Sequence, residues 1–332
     1  MPRPLTRRGA LALGAFLLSL SVPAWGAAQQ PTPPVRIGYL SGGSLASDRA
    51  WRHAFIEGLR ELGWTTGQNA ILHERYADGT FERLPKLADD LVHLEMNVIV
   101  TVTTPAAQAA KRATTTIPIV IAAAGDVLGS GLVPSIAHPD GNITGLSFLG
   151  TELVLKQMDL LLEILPKAAR LAFMGDPRVP PEVAMFRELE VAGRSRKISV
   201  RFFEERGAPD YQPAFARMAR ERIGGLIVGA NVGNQEHRNL IVELAARGRI
   251  PAVYAWREGP EAGGLVSYGD NRPIRYRRAA AYVDRILRGT RPGDLPVEQP
   301  TTFELVVNLR TAHALGLVLP ATLLLRADDV IR

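Results

Sequence analysis

The chain contains no cysteine in 332 residues. That excludes disulfides, thiolate metal sites, cysteine nucleophiles and a lipid-modified N-terminal cysteine. Histidine is scarce: His53, His73, His93, His138, His237 and His313 form no close pair of metal-ligand spacing, and no H-E-x-x-H occurs. The nucleophile-elbow pattern G-x-S-x-G is missing, because Gly38-Tyr39-Leu40-Ser41-Gly42 has the wrong spacing. Gly129-Ser130-Gly131-Leu132-Val133-Pro134 lacks a third glycine and does not follow the first strand, so it gives no support to a dinucleotide site. A phosphate-binding loop is also absent. These gaps argue against an enzyme and against any cofactor.

Charge of one sign is in little excess. The net charge is +6, but the first 26 residues carry Arg3, Arg7 and Arg8 and no acid, leaving 36 basic against 33 acidic residues. No Lys/Arg run interleaved with aromatics appears, so nucleic acid is not an expected partner. The longest apolar run, Ala10 to Leu20, is too short for a permanent membrane anchor. Preceded by three arginines and followed by small residues at Ala24, Gly26, Ala27 and Ala28, it reads as a cleavable export signal over 1–28, with Thr6-Arg7-Arg8 permitting a twin-arginine route. The expected compartment is the periplasm, without stable membrane insertion. A proline-rich leader, 29–34, joins the signal to the fold.

Apolar content of 46% and this length suffice for two lobes. Apolar runs at Val35–Leu40, Ala70–Tyr76, Val98–Val102, Ile117–Ile121 and Ile143–Phe148 alternate with helical patterns, one starting near Asp48 and one over Phe81–Leu94. A short helical piece is expected over Leu132–Ala137. A second βα series spans Leu171 to Tyr254, preceded by a helix over Thr151–Leu165 and including one over His237–Arg247. Strand Leu265–Tyr268, helix Ile274–Arg288, strand Phe303–Asn308 and a short helix over Leu309–Leu315 follow, and the chain ends polar at Asp328-Asp329. The fold class is therefore α/β: two Rossmann-like lobes with parallel sheets joined by hinge crossovers. The expected division is 35–148 plus 257–298 for lobe 1, 149–256 for lobe 2, and 299–332 for a final crossover and tail. Crossings are placed near Leu149, near Trp256 and around Pro296 to Asn308.

One stretch organises this reading. Val98 to Val102 reads as a buried strand that breaks at Thr103-Thr104 and enters a helix at Pro105. Proline suits a first helical position and threonine suits the cap before it. Two hydroxyls at a helix N-terminus could hold a carboxylate; an ordinary capped turn would read the same way.

The residues also resemble a family. Ile37-Gly38-Tyr39-Leu40-Ser41, Phe55-Ile56-Glu57-Gly58-Leu59, Thr103-Thr104-Pro105-Ala106-Ala107 and Gly141-Asn142-Ile143-Thr144-Gly145 carry the likeness. So do Gly263-Gly264-Leu265-Val266-Ser267-Tyr268-Gly269 and Leu295-Pro296-Val297-Glu298-Gln299-Pro300-Thr301. From Val35 to Arg332 the chain resembles periplasmic substrate-binding proteins of ABC transporters, the TrpX-like group with a type I periplasmic-binding-protein fold. The resemblance implies a monomer that closes on a small molecule, with a permease and its cytoplasmic ATPase as partners. A ligand-sensing protein that docks onto a membrane receptor is the alternative, followed by an exported α/β enzyme.

Strand-end loops should then line the cleft. The candidates are Ser41, Thr103, Thr104 and Asp126 in the first lobe, Asn231 in the second, and Trp256, Glu258 and Tyr268 near and beyond the second crossing. An α-amino acid would need a carboxylate clamp at Thr103-Thr104, an acid (Glu258 or Asp126) for its ammonium, and Trp256 or Tyr268 against its side chain. Two loops depart from the family pattern, Gly175-Asp176-Pro177-Arg178-Val179-Pro180-Pro181 and Ala230-Asn231-Val232-Gly233-Asn234. Ligand identity therefore does not carry over.

Overall fold

A computed structural model describes residues 33–332; the expected signal and nearly all of the leader lie outside the described residues. The first lobe is built from β1 (Val35–Ser41), α1 (Leu45–Glu61), β2 (Ala70–Tyr76), α2 (Leu84–His93), β3 (Val98–Val102), α3 (Thr104–Ala113), β4 (Ile119–Gly125) and β5 (Ile143–Phe148). Its five strands pair in the order β2-β1-β3-β4-β5, all parallel. Continuous apolar strands such as β3, buried at every residue, are what a sheet covered on both faces requires.

The chain then crosses to a second sheet. There follow α4 (Gly150–Ile164), β6 (Arg170–Gly175), α5 (Pro180–Ser195), β7 (Ser199–Glu204), α6 (Ala208–Arg220) and β8 (Gly225–Val228). After these come α7 (Val232–Glu236), α8 (Arg238–Gly248), β9 (Ala252–Tyr254), α9 (Glu258–Glu261) and β10 (Val266–Gly269). Helix α10 (Arg272–Leu287), β11 (Glu304–Asn308), α11 (Leu309–Leu315), α12 (Ala321–Arg326) and β12 (Asp329–Ile331) complete the chain. The second sheet runs β12-β11-β10-β9-β8-β6-β7, with β10 and β11 antiparallel. Each sheet has hydrophobic clusters on both faces.

The expected crossings are near Leu149, near Trp256 and around Pro296 to Asn308. The chain leaves the first sheet after Phe148, and Pro296 to Thr302 brings it back to the second, with Leu146 bridging Glu298 on the way. The middle crossing moves. Strand β10 pairs with β9 and β11, so residues from Trp256 to Gly269 stay with the second lobe rather than joining the first at 257. Only α10 returns. It packs on α1 because Gly58 is bare: a Cβ there would lie 3.0 Å from Ala280 Cβ and Arg277 Cα. The C-terminal 299–332 is likewise an integral part of the second lobe, since β11 and β12 extend its sheet.

Local differences have local causes. Helix α1 starts at Leu45, three residues before Asp48, because Ser44 and Ser47 close a reciprocal capping box. Residues 132–137 form turns and bends, without the expected helix. The stretch expected as one helix over 237–247 is α8 preceded by a separate short turn of helix, α7, capped by Asn231. The polar end conceals β12, whose pairing with β11 depends on a partner distant in sequence.

Candidate functional site

The strand ends of the two lobes face one another across a cleft with about 670 Å³ of empty space counting its open mouth. The lobes touch across it. Ser44 Oγ donates to Glu236 Oε1 at 2.9 Å, Trp51 Nε1 donates to Glu258 Oε1 at 3.3 Å, and the Arg178 guanidinium lies over the Phe81 ring at 5.2 Å. Gly43 permits this approach, since a Cβ there would come within 2.8 Å of Val232 Cγ1. The arrangement is a closed one.

The opening of α3 forms one wall. Thr103, not Thr104, is the N-cap: its hydroxyl accepts from Ala106 N–H at 3.3 Å, and Pro105 takes the second helical position. Thr103 has φ = 92°, an outlier for a β-branched residue and strain of the kind concentrated at functional sites. Thr104 Oγ1 is tied to the backbone of Gly125 at 3.2 Å. Both threonines line the cleft; the Thr104 hydroxyl is engaged with Gly125, whereas the Thr103 oxygen only accepts, which leaves its O–H as a donor.

Two arginines on α10 are better placed to hold an anion. Arg272 and Arg275 line the cleft with only 6% and 7% exposure. Arg272 is held between indoles, 4.0 Å from the Trp51 ring centre and 3.0 Å from that of Trp256. Burial lowers its pKa to about 10, with Glu258 opposing the shift. Arg275 pairs with Asp270 at 2.7 Å. Among the described residues, Arg272 Nε and Nη1 and Arg275 Nε have no hydrogen-bond acceptor. Buried guanidinium N–H groups left this way are costly, and a bound carboxylate would satisfy them bidentately.

Acids and rings complete the walls. Asp48 is buried, takes hydrogen bonds from Ser47 Oγ at 3.3 Å and Tyr39 OH at 3.4 Å, and has its pKa raised by burial to about 6. On the second lobe Glu182 is fully buried, which pushes its carboxyl well above the usual range. Asn231 Nδ2 donates to Glu182 Oε2 at 2.7 Å and to Glu205 Oε1 at 2.8 Å. Phe81, Phe148, Tyr276 and Trp256 supply aromatic surface.

Of the eight residues singled out in the sequence, four line the cleft: Thr103, Thr104, Asn231 and Trp256. The other four do not. Ser41 is buried beneath it, its hydroxyl accepting from Gly43 N–H at 2.9 Å and bonding Asp48. Asp126 is exposed at a neighbouring depression and caps its own turn through Gly129 N–H at 2.8 Å. Glu258 accepts from Trp51 Nε1, and its charge favours the Arg272 guanidinium. Tyr268 packs on Phe303 at 5.9 Å within the second lobe, its carbonyl accepting from Gln157. Arg275, Asp48 and Glu182 were missed because each lies in a stretch read as a packing helix, and Arg272 because it falls just before the helix expected from Ile274. Buried charge inside those helices was the available signal.

Among the described residues no helix is long and apolar enough to cross a membrane, and no group of three or more His, Asp or Glu side chains could hold a metal ion. A curated relative, the "Tyrosine-binding protein" of Clostridioides difficile strain R20291, is 25% identical over 275 residues, covering 80% of this chain and 76% of the relative. A conserved domain protein from Vibrio cholerae superposes with a TM-score of 0.84 at 27% identity, over 89% of this chain and 99% of that one. The ABC domain from Streptococcus pneumonia in complex with L-Trp superposes with 0.83 at 22%, over 90% and 100%. The model of a family described as ABC transporter substrate binding protein matches residues 40–331, nearly the whole described fold. The chain belongs to the family of ABC transporter substrate-binding proteins.

Proposed function

We propose that the chain captures a small carboxylate bearing a flat ring, with aromatic amino acids and aromatic acids as the first candidates, and hands it to an ABC permease after export across the inner membrane. The observation that carries this reading is the pair of buried arginines with unpartnered N–H groups on the cleft wall. Their natural complement is a carboxylate, and the aromatic lining suits a ring beside it. The relatives point the same way: one is named for tyrosine and another is complexed with L-Trp. The arginine-rich, then apolar, then small-residue N-terminus supports export.

Isothermal titration with L-tyrosine, L-tryptophan, 4-hydroxybenzoate and tyramine tests it. The ring carboxylates should include a binder, and tyramine, which lacks the carboxylate, should bind at least about tenfold more weakly than that binder. Equal binding of tyramine, or no binding by any ring carboxylate, would overturn the proposal.

A further inference from the structure

Among the described acids only one both lines the cleft and keeps a free oxygen. Asp48 has partners on both oxygens. Glu258 Oε2 and Asp270 Oδ1 lack partners, but neither residue lines this cavity. Glu182 lines it, is fully buried, and presents Oε1 without a hydrogen-bond partner, while Oε2 takes both available donors, Asp176 N–H at 2.6 Å and Asn231 Nδ2 at 2.7 Å. The strand ends make room for this carboxyl. A Cβ at Gly229 would sit 2.3 Å from Oε1, and one at Gly175 would sit 2.9 Å from Oε2. Glu182 therefore lines the cleft from the second lobe while Arg272 and Arg275 line it from α10, and it has one oxygen fixed and one left over.

We propose that Glu182 is the specificity-determining acid of the cleft, its free Oε1 taking the ammonium group of an α-amino acid whose carboxylate lies on Arg272. This rests on the carboxylate reading above and goes beyond it by naming the second recognised group. A ligand held in this way bridges the lobes through opposite charges at its two ends, so binding and closure are one event.

Proton release follows. The groups around Glu182 on its own lobe are Asp176 with its ion-paired Arg178, and Glu205, which Tyr211 OH reaches at 3.1 Å beside His237. Across the cleft stand Asp48, Arg272 and Arg275. Burial, with Glu205 and Asp176 adding like charge, raises the Glu182 carboxyl well above the usual carboxylate range in the closed empty cleft. An arriving ammonium favours the carboxylate, so binding is coupled to proton release wherever the empty cleft holds Glu182 protonated. Affinity for an amine-bearing ligand should accordingly rise with pH until Glu182 is ionised in the unliganded protein.

The test compares L-tyrosine with 3-(4-hydroxyphenyl)propanoate, which differs only in lacking the amine. The wild-type protein should bind tyrosine at least about tenfold more tightly, and titrations in buffers of different ionisation enthalpy should show proton release with tyrosine alone. Glu182→Gln should erase the preference while leaving propanoate affinity within about threefold. Equal wild-type affinities, a preference that survives the substitution, or tyrosine binding without proton release would each overturn the proposal. The proton count uses the unaltered protein, so a poorly folded variant would not blunt it. Binding of neither compound would overturn the aromatic-carboxylate reading itself, a result distinct from equal binding.

Discussion

Replacing Arg272 by methionine together with Glu258 by glutamine should push two observables in opposite directions. Arg272 is held at a pKa of about 10, well below the usual guanidinium range. At about 1.4 kcal/mol per unit, its charge opposes burial in the closed cleft by about 3 kcal/mol. Glu258, whose charge acts on Arg272, is changed with it so that no carboxylate is left facing an uncharged side chain. Methionine keeps the contact area between Trp51 and Trp256 but loses the cation–π attraction, about 2 kcal/mol when desolvated. The balance favours closure of the empty protein by about 1 kcal/mol, roughly a fivefold rise in the closed-to-open ratio. Carboxylate binding should nevertheless weaken by about ten- to a hundredfold, because a charge-assisted bidentate contact is gone. The chain has no cysteine, so dyes on Lys86→Cys and Ala208→Cys, exposed positions on opposite lobes, report closure by energy transfer without background labelling. The same samples serve for titration with L-tyrosine or 4-hydroxybenzoate. A variant that closes less than wild type and binds as well would refute the reasoning.

Other expectations are simpler to check. The Asp48 carboxyl is raised from 3.8 to about 6, so the folded state holds that proton more tightly than the unfolded chain. Its contribution to stability is intact below about pH 4 and is lost as pH rises through 6, amounting to about 3 kcal/mol. Urea unfolding of Asp48→Asn against wild type should show the variant gaining relative stability between pH 4 and 7, and parallel pH profiles would contradict this. Glu236→Ala removes the acceptor of the Ser44 hydroxyl while leaving the α1 cap in place. It should weaken ligand affinity by about threefold, within the range of one net hydrogen bond; unchanged affinity in calorimetry would mean that the contact does not form in the bound state.

The recognisable family stretches and the alternating periodicity were enough to specify two βα lobes, and for physical reasons. A continuously apolar run such as Val98 to Val102 can only be a strand covered on both faces, and the apolar stripe of α1 can only face a sheet. Position 257 was misassigned because strand membership is decided by hydrogen bonds to distant residues: nothing local tells β10 that its neighbours are β9 and β11.

The site divides in the same way. Sequence alone determined that strand-end residues at 103, 104, 231 and 256 would line the cleft, since ligands bind outside the carboxyl ends of parallel strands. Tertiary structure decided what those residues are free to do. It ties the Thr104 hydroxyl to Gly125, uses the Thr103 oxygen as the α3 cap, and joins Glu258 to Trp51 outside the cleft lining. Arg272, ordinary in a helix that otherwise reads as amphipathic, is carried by the return of α10 into a slot between tryptophans 205 positions apart. An arginine's meaning depends on whether water or protein surrounds it, and that is settled only once both lobes and the hinge between them are folded.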